Sequence, residues 1–349
     1  MTDAHAVANT KAGGTQMFAE AGEAPARIAA QLDANRTLVA RLADRLRRLA
    51  PRAVLTAARG SSDNAATFAR YLIETRAATL TSSYAPSVSS VYAAQPKLHD
   101  TVFVAISQSG RSPDLLAAVS AAKTAGAFTI ALVNQEDSPL AALADDVVPL
   151  RAGAEKSVAA TKTYLAANAA ILQLVAEWRE DAELKKALVS LPQNLAKAWS
   201  LDWQAPRLAE AKDLYVIGRG LGFGLAQEAA LKFKETCGLH AEAFSAAEVR
   251  HGPMALVGPH FPALIFAQND ETRAGIESLA RQFLAAGADV TAAGLEMPGA
   301  ANLPVLDAHP ALQPVLMAQS FYRLVASLSL ARGYDPDRPP LLNKITETI

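Results

Sequence analysis

The sequence predicts an α/β protein of two tandem three-layer α-β-α sandwiches, each built on a parallel sheet. Three observations predict it. Apolar runs of strand length alternate with amphipathic helical segments. The alternation breaks off and then repeats, with Gly60 and Gly220 ending corresponding strands of the two halves. The 349 residues are 51% hydrophobic and 19% charged, enough core material for about two domains. Strands joined through helices require right-handed crossovers, which dictates parallel sheets.

Residues 1 to about 15 are small and polar. From Met17 to Leu49, apolar residues recur at spacings of three and four (Ile28, Leu32, Leu38, Leu42, Leu46), with arginines opposite. This spacing predicts two helices, so residues 1–50 form an N-terminal helical segment. The first sandwich, 51–190, opens with AVLTAARGSS, a buried strand running into a Gly/Ser turn. Its helix, DNAATFARYLIETR, starts near Asp63, which suits an N-cap. TVFVAISQSG is the next strand and turn, followed by a helix with Ser112 as cap, Pro113 in the first turn and Gly126 at the end. FTIALVN is a third strand, and the alanine-rich stretch from Ser157 to Trp178 reads as one long helix. A linker lies near 190–210 (LPQNLAKAWSLDWQAP). The second sandwich, 205–332, repeats the plan through DLYVIGRG, GLAQEAALKFKE, ALIFAQND, ETRAGIESLARQFLAAG and DVTAAGL. The proline-rich segment 333–349 is an extended C-terminal tail that leaves the second sandwich and packs elsewhere.

Composition excludes several function classes. Lys+Arg 33 against Asp+Glu 34 leaves a net charge of -1, which argues against a nucleic-acid surface. The single cysteine, Cys237, rules out an internal disulfide and a cysteine-rich zinc site. No apolar run is long enough to span a membrane. The opening MTDAHAVANTKAGGTQ lacks a basic-then-apolar leader, so a cytoplasmic protein is expected.

Five segments carry candidate chemistry. Gly60-Ser61-Ser62-Asp63 and Ser107-Gln108-Ser109-Gly110-Arg111-Ser112 both lie at strand ends before helices. Ligands of open α/β sheets bind beyond the carboxyl ends of the strands, where helix N-termini offer N–H groups to anions. Each turn alone reads as helix capping; two neighbouring hydroxyl-rich turns suggest a phosphate cradle. No GxxxxGK[ST] is present, so a nucleoside triphosphate is disfavoured. EKSVAATKTY, residues 155–164, places Ser157, Thr161 and Thr163 at a helix start. KFKETCGLHAEAFSAAEVRHGPMAL gathers Lys232, Glu235, His240, Glu242, Glu248 and His251 in a stretch read as poor in strand. Glu228, Lys232 and Glu235 share a helical face, either a solvated salt-bridge face or a carboxylate held as a base in a partly dry pocket. His240, Glu242 and His251 lack any metal-ligand spacing, so no metal is expected. Lys344, near the chain end, matters only if the tail folds onto the site.

Taken in order, RGSS, SQSGRS, EKSVAATK, GRG, LKFKE, HAEAF, RHGP and DPDRPPLLNK resemble the SIS (sugar isomerase) family over about residues 25 to 349. The resemblance implies two tandem SIS domains. It also implies that Ser62, Ser107, Gln108, Ser109 and Ser112 hold a sugar phosphate, with Ser61 in the same cradle and the Val158 backbone beside the substrate. Glu235 matches the base that moves a proton between C1 and C2, with Lys232 beside it. His251 matches a ring-opening histidine supplied by the neighbouring subunit, which implies a homodimer. Glu228 matches a carboxylate touching the sugar, and Lys344 a tail lysine able to form a Schiff base with the ketose. No cofactor is implied.

Within the family the sequence resembles the isomerase half of glutamine–fructose-6-phosphate aminotransferase, but it departs from that pattern. It has no N-terminal glutaminase cysteine, and Ala160 stands where the synthase carries a serine. It looks more like the stand-alone SIS-type glucosamine-6-phosphate deaminases. The expected activity is conversion of glucosamine 6-phosphate to fructose 6-phosphate and ammonia. A fructosamine-6-phosphate deglycase or a galactosamine-6-phosphate deaminase/isomerase would need the same proton transfers. A non-catalytic sugar-phosphate sensor would have no use for an acid, a base and a lysine together.

Overall fold

The computed structural model describes residues 12–94 and 96–344. In chain order the principal elements begin with helices α1 (Gln16–Gly22), α2 (Ala24–Ala34) and α3 (Arg36–Leu49). Then come β1 (Ala53–Ala57), α4 (Ser61–Ala77), β2 (Leu80–Ser83), β3 (Thr101–Ser107), α5 (Pro113–Thr124), β4 (Phe128–Val133), β5 (Asp146–Pro149), α6 (Lys162–Trp178) and α7 (Ala182–Ser200). The second half holds β6 (Asp213–Gly218), α8 (Leu221–Cys237), β7 (His240–Ser245), β8 (Pro262–Phe266), α9 (Arg273–Ala285), β9 (Asp289–Ala293), β10 (Ala301–Leu303) and α10 (Gln313–Ala331).

Both sheets have five strands and the same order, β2-β1-β3-β4-β5 and β7-β6-β8-β9-β10. Every strand pair is parallel. The duplication therefore extends to topology. It extends also to one backbone detail, since Gly60 and Gly220 cap α4 and α8 with φ/ψ of 55/-132° and 58/-132°. Only glycine takes that conformation readily. β3 and β4 are buried along their whole length, as strands covered on both faces must be. The first core includes Phe103, Leu115, Val119 and Val133. The second includes Ile217, Ile265, Ile276 and Phe283.

Contacts divide the chain into two compact units. One holds the first sheet with residues 26–155 and 162–190; the other holds the second sheet with the α1 region, residues 156–161 and residues 191–344.

Several sequence expectations are corrected. Among the described residues, the N-terminal segment forms three helices, not two. Helix α4 begins at Ser61, so Asp63 sits in its first turn and is not the cap. Helix α6 begins only at Lys162; residues 157–161 are not helical. Alanine favours helix, but Glu155 draws the start of α6 to Thr163, accepting its N–H (3.1 Å) and its hydroxyl (2.8 Å). The expected linker is largely helical, with Pro192 inside α7. His240–Ser245 is a strand, not a strand-poor stretch. In the described part of the tail, Asp337 accepts the Gln16 and Met17 N–H groups at 2.7 Å, capping α1. The last five residues of the expected tail lie outside the described residues.

Candidate active site

The first group of candidates lies at the carboxyl edge of the first sheet. β1 and β3 are neighbours, with Ala57 opposite Ala105, so the turns at 60–63 and 107–112 leave adjacent strands. This is the point where strand order reverses, the usual ligand crevice of such sheets. Ser107 is buried, and its Oγ accepts the Gly110 N–H at 3.0 Å, fixing the turn. Ser109 Oγ is 3.4 Å from the Arg111 N–H. Among the described residues, the hydroxyls of Ser61, Ser62 and Ser112 and the Gln108 amide have no protein partner, although all four are half-buried. Ser112 caps α5 by position without a side-chain hydrogen bond, which leaves its hydroxyl for a ligand.

Two residues missed in the sequence tie the turns together. The Arg59 guanidinium donates Nε and Nη2 to Asp114 Oδ2, at 2.9 and 2.6 Å. Asp114 is 1% exposed. The arginine of RGSS was the available signal; its partner, 55 residues on, was not. Burial raises the Asp63 carboxyl above its usual range, and the Arg59 charge opposes that shift.

The second group belongs to the second-sheet unit. Glu228, Lys232 and Glu235 do share one face of α8, but it is not a solvated face. The Glu228 and Lys232 side chains are fully buried and Glu235 is 20% exposed. Lys232 Nζ lies 3.5 Å from Glu228 and bonds Glu235 Oε2. Tyr322, from α10, donates its hydroxyl to Glu228 at 2.9 Å. Burial by itself lowers the Lys232 pKa, but the Glu228 and Glu235 charges outweigh it and raise it. The chain Tyr322–Glu228–Lys232–Glu235 thus presents one partly desolvated carboxylate, backed by a buried ammonium.

The loop 156–161 is clamped from both sides. Glu20 of α1, buried, accepts the Lys156 N–H at 2.6 Å and the Ser157 N–H at 3.2 Å. Lys344 Nζ donates to the Ser157 carbonyl at 2.7 Å. Ser157 is 1% exposed and its hydroxyl has no partner among the described residues, a buried donor that calls for a ligand or water. Val158 beside it is half-buried. The tail lysine and this loop, far apart in sequence, are therefore brought together. Glu20 was missed because its partners lie 136 and 137 residues away.

Glu20→Gln keeps the shape but has one acceptor oxygen and turns an NH2 toward an N–H. Losing a charge-assisted bond at about 1.5–3 kcal/mol should speed amide exchange at Lys156 and Ser157 about tenfold or more. Unchanged exchange would mean that the loop is held by other contacts.

His251 is exposed, follows a 3-10 turn (Glu248–Arg250), and its ring makes no hydrogen bond among the described residues. The structure pairs it with none of the other candidates. Cys237 is buried, and burial pushes its thiol up to about 12. The folded state holds that proton more tightly than the unfolded chain, so this contribution to stability is lost as pH rises from 9 toward 12. Iodoacetamide at pH 8 is expected to label Cys237 only after denaturation; rapid labelling of the native chain would contradict its placement. Among the described residues no group of three or more His, Cys, Asp or Glu is placed to hold a metal, and no helix is long and apolar enough to cross a membrane.

The sequence profile of the SIS domain matches residues 49–177 and 207–293, spanning the first sheet and four strands of the second. Glutamine–fructose-6-phosphate aminotransferase (isomerizing) of Aeropyrum pernix is 38% identical over 267 residues, 70% of this chain and 43% of that protein. The chain spans about half the length of the relatives of this name. A crystal structure from Silicibacter pomeroyi DSS-3, assigned as a phosphosugar isomerase, is 41% identical with a TM-score of 0.88, covering 93% of this chain and all of that one (100%). The glucosamine-6-phosphate deaminase of Thermotoga maritima, at 20% identity and TM-score 0.76 over 96% of this chain and 100% of that one, shares the fold. With both halves matched by one profile and both sheets built to one plan, the chain belongs to the SIS domain family.

Proposed function

We propose that this chain catalyses aldose–ketose isomerisation of a phosphorylated sugar, and that its substrate is glucosamine 6-phosphate, converted with water to fructose 6-phosphate and ammonia. The observation that carries the reading is Glu235, one-fifth exposed and held by a buried ammonium. A base acting at carbon must be ionised, poorly solvated and fixed in place; such a group is worth about 10²–10⁴ in rate. Lys232 supplies the charge and Glu228 with Tyr322 fixes Lys232.

The phosphate docks on the turns of Ser61, Ser62, Ser107, Gln108, Ser109 and Ser112, where amides and hydroxyls stabilise an anion without proton transfer. His251, contributed across a homodimer interface, moves the proton between O5 and O1 as the ring opens; its exposed, unpaired ring suits that role. Glu235 removes the C2 proton of the open aldose, exchanges it with solvent at its one-fifth exposed carboxyl, and delivers a proton to C1. The C1–C2 enolamine becomes a C2 imine, water adds to C2, and the C–N bond breaks to release ammonia. The C1 aldehyde takes up the electron pair when the C2 proton leaves, and the amine lone pair forms the C2 imine as C1 is protonated. Val158 and the unsatisfied Ser157 hydroxyl line the sugar side, and Lys344 closes the tail over this loop. Ala160, in place of the serine of the synthases, leaves one hydroxyl fewer and speaks against amination of fructose 6-phosphate. A cytoplasmic location fits such a substrate.

The test is ammonia release from glucosamine 6-phosphate, galactosamine 6-phosphate and fructosamine 6-phosphate in parallel. The proposal predicts turnover of the first above the others. Release from another substrate alone would reassign the sugar, and binding of all three without turnover would make the chain a sensor.

A further inference from the structure

The second sheet has an opening that the proposed catalytic chemistry does not use. A cavity of about 640 Å³ lies at the carboxyl ends of β8, β9 and β10, lined by Asn269, Arg273, Glu296, Pro304, Asp307 and Gln313, among others. Its size falls within the ~300–1,000 Å³ of small-molecule sites. It is remote from Glu235. α8 leaves the carboxyl end of β6 and its 17 residues run back along the sheet, a rise of about 25 Å.

Unspent donors face this cavity. Gln313 is 7% exposed; its Oε1 accepts the Asn269 N–H at 2.6 Å, and its Nε2 has no acceptor among the described residues. The side chain of Arg273, first residue of α9, makes no ion pair or hydrogen bond among the described residues. No acidic residue occupies the first turn of α9, so its positive end is not neutralised from within the helix. Asp270 precedes it, its carboxylate accepting the Thr272 N–H and the Gln268 amide and making no pair with the Arg273 side chain. The wall is rigid: Trp203 donates its indole N–H to the Pro304 carbonyl at 2.7 Å and stacks on Phe266. Glu296 and Asp307 are exposed among the lining residues.

The internal duplication explains the position. In the first sheet the candidate turns leave the neighbouring strands β1 and β3. In the second, Gln268 Nε2 bonds the Arg219 carbonyl, Asp270 and Thr272, closing the corresponding crevice. The opening lies farther along the same edge instead.

We propose that this cavity is a second ligand site for a phosphomonoester with a hydroxyl-rich body. Arg273, Gln313 Nε2 and the α9 N-terminus take the phosphate, and Asn269 and the Glu296 and Asp307 carboxylates take the hydroxyls. A guanidinium matches phosphate in a bidentate fork, which an amide alone cannot.

The test is calorimetric titration of the whole chain with glucose 6-phosphate, comparing wild type, Arg273→Gln and Gln313→Leu. Arg273 has no internal partner, so its replacement should leave the thermal unfolding transition in place. The expected result is two sites per chain in wild type, one in Arg273→Gln, and at least tenfold weaker binding at the second site in Gln313→Leu. Superposable isotherms for wild type and Arg273→Gln would overturn the proposal, as would no binding at millimolar ligand. Failure of the first-sheet phosphate cradle reads differently: wild type then shows one site and Arg273→Gln none.

Discussion

Glu235→Gln is expected to lower kcat by about 10²–10⁴-fold while leaving KM within a few-fold. The carboxamide keeps the shape and cannot accept the C2 proton. The fold should survive, because Lys232 still has Glu228 at 3.5 Å. The comparison that matters is between kcat and thermal unfolding. A variant with wild-type stability and wild-type kcat would remove Glu235 from the mechanism. A variant that loses stability and activity together would point to a structural role.

Lys232→Met carries the largest expected effect on stability. It removes the ammonium from beside the fully buried Glu228 carboxylate, to which the neutral Tyr322 hydroxyl still donates. Breaking a buried pair on one side typically costs about 3–5 kcal/mol, since the remaining charge keeps its desolvation cost. For a chain of this size that is a fall in Tm on the order of 10 °C. The double variant Lys232→Met/Glu228→Gln should recover much of the loss, because the orphaned charge is gone. Equal Tm for single and double variants would show that Glu228 is not the source of the cost.

The pH dependence has a definite sign. The Lys232 pKa is raised in the folded state, so its contribution is complete below the ordinary lysine value of 10.5 and is lost as pH rises through the higher folded value. Thermal stability from this pair should therefore be flat across neutral pH.

Much of the architecture was legible because it is written in local pattern. TVFVAIS and FTIALV are continuous apolar runs, as strands covered on both faces must be. Gly60 and Gly220 marked the duplication because both sit where a side chain is disfavoured. What escaped depends on partners distant in sequence. Residues 157–161 have a helical composition, but Glu20 takes the N–H groups of Lys156 and Ser157, and Lys344 holds the Ser157 carbonyl. LPQNLAKAWS reads as the start of a linker, but it forms the end of α7, with Pro192 inside the helix. The Glu228, Lys232 and Glu235 spacing was legible, but its burial was not. What separates the buried cluster from a surface one is α10, which brings Tyr322 to Glu228 across 94 positions.

The account turns on proton transfer at the carbons beside the sugar carbonyl. The direct measurement is proton NMR of the fructose 6-phosphate formed from glucosamine 6-phosphate in D2O. The account predicts solvent deuterium at C1 with the wild-type chain, and at most a trace with Glu235→Gln. Product carrying the original C2 hydrogen at C1 with no deuterium, or wild-type labelling by Glu235→Gln, would contradict it.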